Sequence, residues 1–97
     1  MNNTYKLRKN AMVFHPLFDS LNDYSTFVFD TTTHNILKLK KTTYVILLFL
    51  KQKPDSTATE IIEYTKNACT INGIKTTDSE IKLIIEHFIK KNIIQSG

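Results

Sequence analysis

The 97-residue chain has one cysteine, Cys69, three histidines and nine carboxylates with which to do catalysis or hold a metal. His15, His34 and His87 show neither H-x-x-x-H nor H-E-x-x-H spacing, and a lone cysteine excludes a cysteine-ligated zinc site or an iron–sulfur cluster held by this chain alone. No serine stands in a nucleophile elbow, and the two glycines, Gly73 and Gly97, make no phosphate-cradling loop. Glu60 and Glu63 read as one solvated helical face. Cys69 falls on an apolar helical stripe, where a cysteine behaves as a small hydrophobe. The expectation is therefore a non-enzyme with no catalytic residue, no metal ligand and no cofactor. The size agrees, because a domain of about this length buries only roughly 60 to 70% of its unfolded surface and has little room for an enclosed catalytic cavity.

The elements that must position any remaining function follow from the pattern. With 41% hydrophobic and 23% charged residues and a net charge of +4, the composition suits one small globular domain. The polar stretch 1–11 is expected to be a flexible N-terminal segment and 12–97 a single domain. The opening residues lack the apolar run of a signal peptide, and the longest apolar run, 44–50, is far short of the ~20 residues of a spanning helix. Together with the single cysteine this predicts a cytoplasmic protein with no membrane partner.

Alternation at Met12, Phe14 and Phe18 predicts a first strand, made irregular by Pro16; Phe27 and Phe29 mark a second, and residues 34–39 a third. Residues 21–25 and 30–33 carry turn chemistry. From Lys41 onward the pattern turns helical. The run 44–50 continues through Lys51-Gln52-Lys53 to Pro54 and reads as a buried helix. Thr57-Ala58-Thr59-Glu60 is a capping box opening a second helix with Ala58, Ile61, Ile62, Thr65, Ala68 and Cys69 inward. Thr77-Asp78-Ser79-Glu80 repeats the box and opens a third, with Ile81, Ile84, Ile85 and Phe88 on its core stripe and Asn92 ending it. The predicted fold is α+β and winged-helix-like: a three-stranded antiparallel sheet followed by three helices.

Two surfaces stand out. The third strand, His34, Asn35, Ile36, Leu37, Lys38 and Leu39, is amphipathic, and at a sheet edge its free amides and carbonyls would accept an extended peptide as a further strand. On the outer arc of the third helix, Lys82, Leu83, Glu86, Ile89 and Lys90, apolar Leu83 stands where a solvated residue is expected. Residues 38–53 contain Lys38, Lys40, Lys41, Lys51 and Lys53 and no acid. Strand and helix arc together would line an apolar and basic groove suited to an amphipathic peptide with acidic residues.

The succession Phe27-Val28-Phe29-Asp30, Ile36-Leu37-Lys38-Leu39-Lys40, Val45-Ile46-Leu47-Leu48-Phe49-Leu50, Thr59-Glu60-Ile61-Ile62 and Ile81-x-x-Ile84-Ile85-x-x-Phe88-x-x-x-Asn92-Ile93-Ile94 resembles the PqqD-like family, the RiPP recognition elements, over about residues 12–95. Each piece is generic and the order carries the likeness. Lys40 stands where the family often has asparagine, Tyr44 near a position often small, and Asn92 in place of the usual glycine. The resemblance implies a non-catalytic domain that binds the leader of a ribosomally made precursor peptide along residues 34–39 and against the third helix. It also implies a peptide-modifying enzyme as second partner, a radical SAM maturase being one such class. An open edge also allows a strand-exchanged dimer beside the monomer.

The alternative is a winged-helix DNA-binding transcription regulator using the third helix in a major groove. Arg8 is the only arginine among 13 basic residues, and Lys82, Leu83, Glu86 and Lys90 are a poor base-reading set, which argues against nucleic acid. A structural subunit or the N-terminal domain of a larger enzyme is a third reading.

Overall fold

The computed structural model describes residues 3–14 and 26–97. In chain order the elements are β1 (Thr4–Leu7), β2 (Ala11–Phe14), β3 (Thr26–Asp30), β4 (Asn35–Leu39), α1 (Lys41–Gln52), β5 (Ser56–Thr57), α2 (Ala58–Ile71), α3 (Asp78–Lys90) and β6 (Ile94–Ser96). The class is α+β as expected. The order is not simply sheet then helices: the antiparallel sheet β2-β3-β4 precedes the helices, but a second antiparallel sheet, β5-β1-β6, takes its strands from before, between and after them.

The expected three-stranded sheet is β2-β3-β4, with corrected bounds. Its first strand is described only over Ala11–Phe14, and the expected continuation to Phe18, the kink at Pro16 and the turn at 21–25 lie outside the described residues. The third strand begins at Asn35 and not at His34. His34 has φ 62° and closes the 31–34 turn, its N–H donating to the Asp30 carbonyl at 2.7 Å.

The second sheet was not predicted. Residues 4–7, read as part of a flexible segment, form β1, its central strand: Tyr5 pairs with both Ser56 and Ser96, and Leu7 with Ile94. Thr4 binds the chain end twice, its hydroxyl donating to the Gly97 carbonyl at 2.7 Å and its carbonyl accepting from the Gly97 N–H at 3.0 Å. Tyr5 and Leu7 pack on the core while Lys6 between them faces solvent, the strand alternation of a half-buried pair of faces.

The helices follow their caps. Thr57 and Glu60 form the reciprocal box, the Thr57 hydroxyl accepting from the Glu60 N–H at 3.2 Å and the Glu60 carboxylate from the Thr57 N–H at 3.0 Å. The second box is half made: Thr77 accepts from the Glu80 N–H at 3.1 Å, but the Glu80 carboxylate accepts from the Thr76 hydroxyl at 3.2 Å instead of reaching back to Thr77. Both α2 and α3 end in the double-bonded left-handed cap. At Gly73, φ 71°, Ile74 N–H reaches the Cys69 carbonyl at 2.8 Å; at Asn92, φ 60°, Ile93 N–H reaches Phe88 at 2.9 Å and Asn92 N–H reaches Ile89 at 3.0 Å. Asparagine holds this position because its short side chain tolerates the left-handed conformation.

The core forms where α1 meets the other two helices and the inward faces of the sheets: Ile46, Leu47, Ile61, Ile81 and Ile93 are fully buried, with Val28 from β3 against them. Helix α1 is buried on most of its surface, which explains a run too apolar to show helical periodicity. Cys69 is buried, its Sγ 3.9 Å from the Thr42 hydroxyl. Among the described residues no helix is long and apolar enough to cross a membrane.

Candidate peptide-binding edge and groove

Strand β4 pairs with β3 on one side, Val28 opposite Leu37 and Asp30 opposite Asn35, and has no strand on the other among the described residues. Which of its backbone groups are free follows from parity. On the far side of β3 the Thr31 N–H donates to the Asn10 carbonyl at 2.8 Å, in register with Met12 opposite Phe29 and Phe14 opposite Phe27. In an antiparallel ladder the bonding direction alternates residue by residue, so Phe27 and Phe29 bond toward β2, and Thr26, Val28 and Asp30 toward β4. Their partners Asn35, Leu37 and Leu39 therefore turn inward to β3. The N–H and C=O of Ile36 and Lys38 point outward along the open edge.

The same alternation sorts the side chains. Val28, Leu37 and Leu39 face the core, whereas Met12, Phe14, Phe27, Phe29 and Ile36 share the opposite face. Ile36 is 65% exposed. With Phe14, Phe27 and Phe29 it lines an open apolar hollow of about 400 Å³ on that face.

A separate groove of about 390 Å³ runs between the end of β4 and α3, bordered by Lys38 and Lys40 on one wall and Leu83, Ile84 and His87 on the other, with Thr43 of α1 behind. Leu83 is 65% exposed, an apolar residue on the wall of a cleft. Neither Lys38 nor Lys40 is in an ion pair among the described residues, where the pairs are Lys53 with Glu60 and Lys66 with Asp78. Glu80 also lines this groove, and strand alternation turns the Lys38 side chain to the opposite face of the sheet. Lys40 on the groove side and Lys38 on the other therefore put positive charge on both sides of the edge, which attracts an acidic, amphipathic chain.

Of the sequence-predicted set, Lys38, Leu39 and Leu83 are brought together here. Ile36 belongs to the aromatic face, and the Leu37 side chain packs inward on the core. His34 and Asn35 sit at the turn end of the hairpin, His34 with its ring 6.2 Å from that of Phe29. On α3 the arc divides: Ile89 packs on the core, so its assignment to the outer surface is corrected, and Lys82 faces a different cleft with Asp78 and Glu63. Glu86 and Lys90 are exposed and border neither the groove nor the hollow. Lys40, Thr43, Glu80, Ile84 and His87 were missed. His87 lies one turn beyond Leu83, so the i, i+4 rule applied from Leu83 would have found it; Thr43 had no such signal, because it comes from another helix.

The hairpin is anchored at its turn end, away from the groove. Asp30 is buried at the head of the hairpin, accepting from Asn10 Nδ2 at 2.9 Å and from the Thr32 N–H at 2.9 Å. The Asn10 amide and then the turn N–H groups, working against desolvation, hold the Asp30 carboxyl below its ordinary value. Asn10 also donates to the Asn92 carbonyl at 3.1 Å, tying the hairpin to the end of α3.

A further groove, about 350 Å³, lies at the other end of α1, where Lys6, Arg8, Lys9 and Lys51 surround Leu7 and Leu50 and no acid lines it. Among the described residues no three His, Cys, Asp or Glu side chains gather where they could hold a metal ion. No protein-family model, curated protein or solved structure matches this chain.

Proposed function

We propose that this chain is a non-catalytic recognition domain that binds the leader of a ribosomally synthesised precursor peptide as a strand added to β4 and presents its core to a modifying enzyme, a radical SAM maturase being one fitting class. The observation that carries the reading is the junction of a five-residue open edge, whose Ile36 and Lys38 amides face outward, with a groove bordered by Leu83, Ile84, Lys40 and the end of β4. An edge supplies main-chain hydrogen bonds of any sequence, and the groove supplies the side-chain selection, which is the division of labour in strand addition. In this reading the β3–β4 hairpin is the wing of a winged-helix arrangement with α1, α2 and α3. Tethering raises the effective concentration of the core at the enzyme, to about millimolar with a short flexible linker, so the domain needs no chemistry of its own.

Reading α3 as a DNA-recognition helix has less support. Its exposed positions include Asp78, Glu80, Lys82, Leu83, Glu86, His87 and Lys90, among which the three acids repel phosphate and Leu83 offers only methyl contact. Calorimetric titration with the peptides encoded beside its gene, and with a mixed-sequence duplex at two salt concentrations, separates the two. Saturable binding of one leader at micromolar or tighter affinity is expected. Duplex binding with a steep salt slope and no peptide binding would overturn the proposal in favour of a regulator.

A further inference from the structure

The aromatic face of the β2-β3-β4 sheet plays no part in a site made of edge and groove alone, yet it adjoins the same edge. Phe14 and Met12 are 47% and 46% exposed and Ile36 65%, and they are contiguous with Phe27 and Phe29 in an apolar surface that no element among the described residues covers. A strand laid along β4 extends this sheet, and its side chains then alternate between the two faces. Residues opposite Ile36 and Lys38 stand over the aromatic face; those opposite Leu37 and Leu39 stand on the groove side with Leu83 and Ile84. One ligand strand is therefore read from both sides.

We propose that the Phe14, Phe27, Phe29 and Ile36 face is a second subsite for the same strand-forming peptide, taking an apolar side chain beside Ile36 and a carboxylate beside Lys38 while the intervening residues enter the β4–α3 groove. This rests on the strand-addition reading above. It specifies the ligand class: a peptide with an apolar and an acidic residue two positions apart on one face, and aliphatic residues alternating with them on the other. The charge pattern selects that occupant over a second copy of the chain. Of the six outer-face side chains on β2, β3 and β4, Met12, Phe14, Phe27, Phe29, Ile36 and Lys38, one is a cation and none is an acid, and the chain carries +4 overall. Pairing two β4 edges would bring two sets of Lys38 and Lys40 together along one seam, whereas an acidic peptide neutralises them.

The test is selection of a displayed random octapeptide library on the full chain and on the Ile36→Ser and Leu83→Ser variants, both changed at exposed positions that leave the core intact. The wild type is expected to enrich period-two peptides with an apolar and an acidic residue on one phase and aliphatic residues on the other. Ile36→Ser should relax the apolar preference on the first phase and weaken a synthetic winner about tenfold or more, the scale of one apolar side chain losing its burial. Leu83→Ser should relax only the second phase. Unchanged preferences and affinity in Ile36→Ser, with Leu83→Ser affected, would overturn the second subsite and keep the edge and groove. No enrichment on the wild type, or winners whose amide shifts avoid β4, would overturn the strand-addition reading itself. A wild-type dimer in sedimentation that Ile36→Ser abolishes would assign the face to a second copy and overturn the proposal.

Discussion

In the β5-β1-β6 sheet the flanking strands are two and three residues long and the central strand is held by residues from the far end of the chain, Thr4 to Gly97 and Leu7 to Ile94. In the β2-β3-β4 sheet the outer strand β4 has five residues, its pairing is to a neighbour one turn away, and a whole face carries exposed phenylalanine and isoleucine. A two-residue edge is no template for a further strand, whereas a five-residue edge is. The first sheet closes the molecule and the second presents a surface. The lesson is that small domains separate these duties between sheets, because residues that hold chain ends together have no backbone groups left to offer.

That contrast can be broken most forcefully by deleting residues 1–9. The loss of β1 leaves β5 and β6 without their partner and uncovers Ile93 and Ile94, so cooperative urea unfolding should disappear, a loss comparable with the whole stability of a small domain, about 5 kcal/mol or more. A cooperative transition at the wild-type midpoint would show that the first sheet closes nothing.

Proline scanning of β4 sharpens the comparison next. Ile36→Pro and Lys38→Pro remove outward N–H groups and should abolish the proposed peptide binding at a stability cost of about 1 kcal/mol, while Leu37→Pro breaks a bond to β3 and should cost more than that in urea unfolding. If Leu37→Pro is the harmless one, the parity assigned to the edge is reversed.

The seam between the sheets is the Asn10 side chain, shared by Asp30 and Asn92. Because the Asp30 carboxyl is held below its ordinary value of 3.8 in the fold, its contribution is complete above that value and is lost as pH falls through the lowered one. Asn10→Ala should lower the urea midpoint at pH 7 and flatten its decline between about pH 5 and pH 2, Glu60 supplying the remaining slope through its bonds from Lys53 and the Thr57 N–H. Parallel curves for the variant and the wild type would remove Asn10 from that linkage. The smallest effect expected is at the end of α3, where Asn92→Gly should stabilise by under about 1 kcal/mol in the same assay, since the residue already holds φ 60°. A loss of stability there would mean that the Asn92 side chain, and not its backbone, matters.

Local chemistry was legible where it is local. Thr57 with Glu60, the Ile81, Ile85 and Phe88 stripe, and the left-handed ending at Asn92 are properties of neighbouring residues, and the structure has each of them. The half-made second box shows the limit, because Thr76, one residue outside the motif, competes for the Glu80 carboxylate. Strands β5 and β6 were not legible, since two or three residues carry no usable period, and β1 had only the Tyr5 and Leu7 alternation to announce it. In the candidate site, Leu83 was found because it breaks an amphipathic pattern and His87 follows from it at i, i+4, while Thr43 belongs to it only by proximity.

The sequence by itself determined three helices with their starts and stops, an α+β class and two strands joined by a short turn, read at 30–33 and found at 31–34, because hydrophobic period, caps and turn residues act within a few positions. Only the tertiary structure decided that residues 4–7 are a central strand, that Ile36 and Lys38 and not Leu37 offer their amides, and that the α3 arc splits between core and groove. Those depend on pairing register and on which helix face meets which sheet, and a register shift of one residue reverses every side chain and every hydrogen bond along the edge.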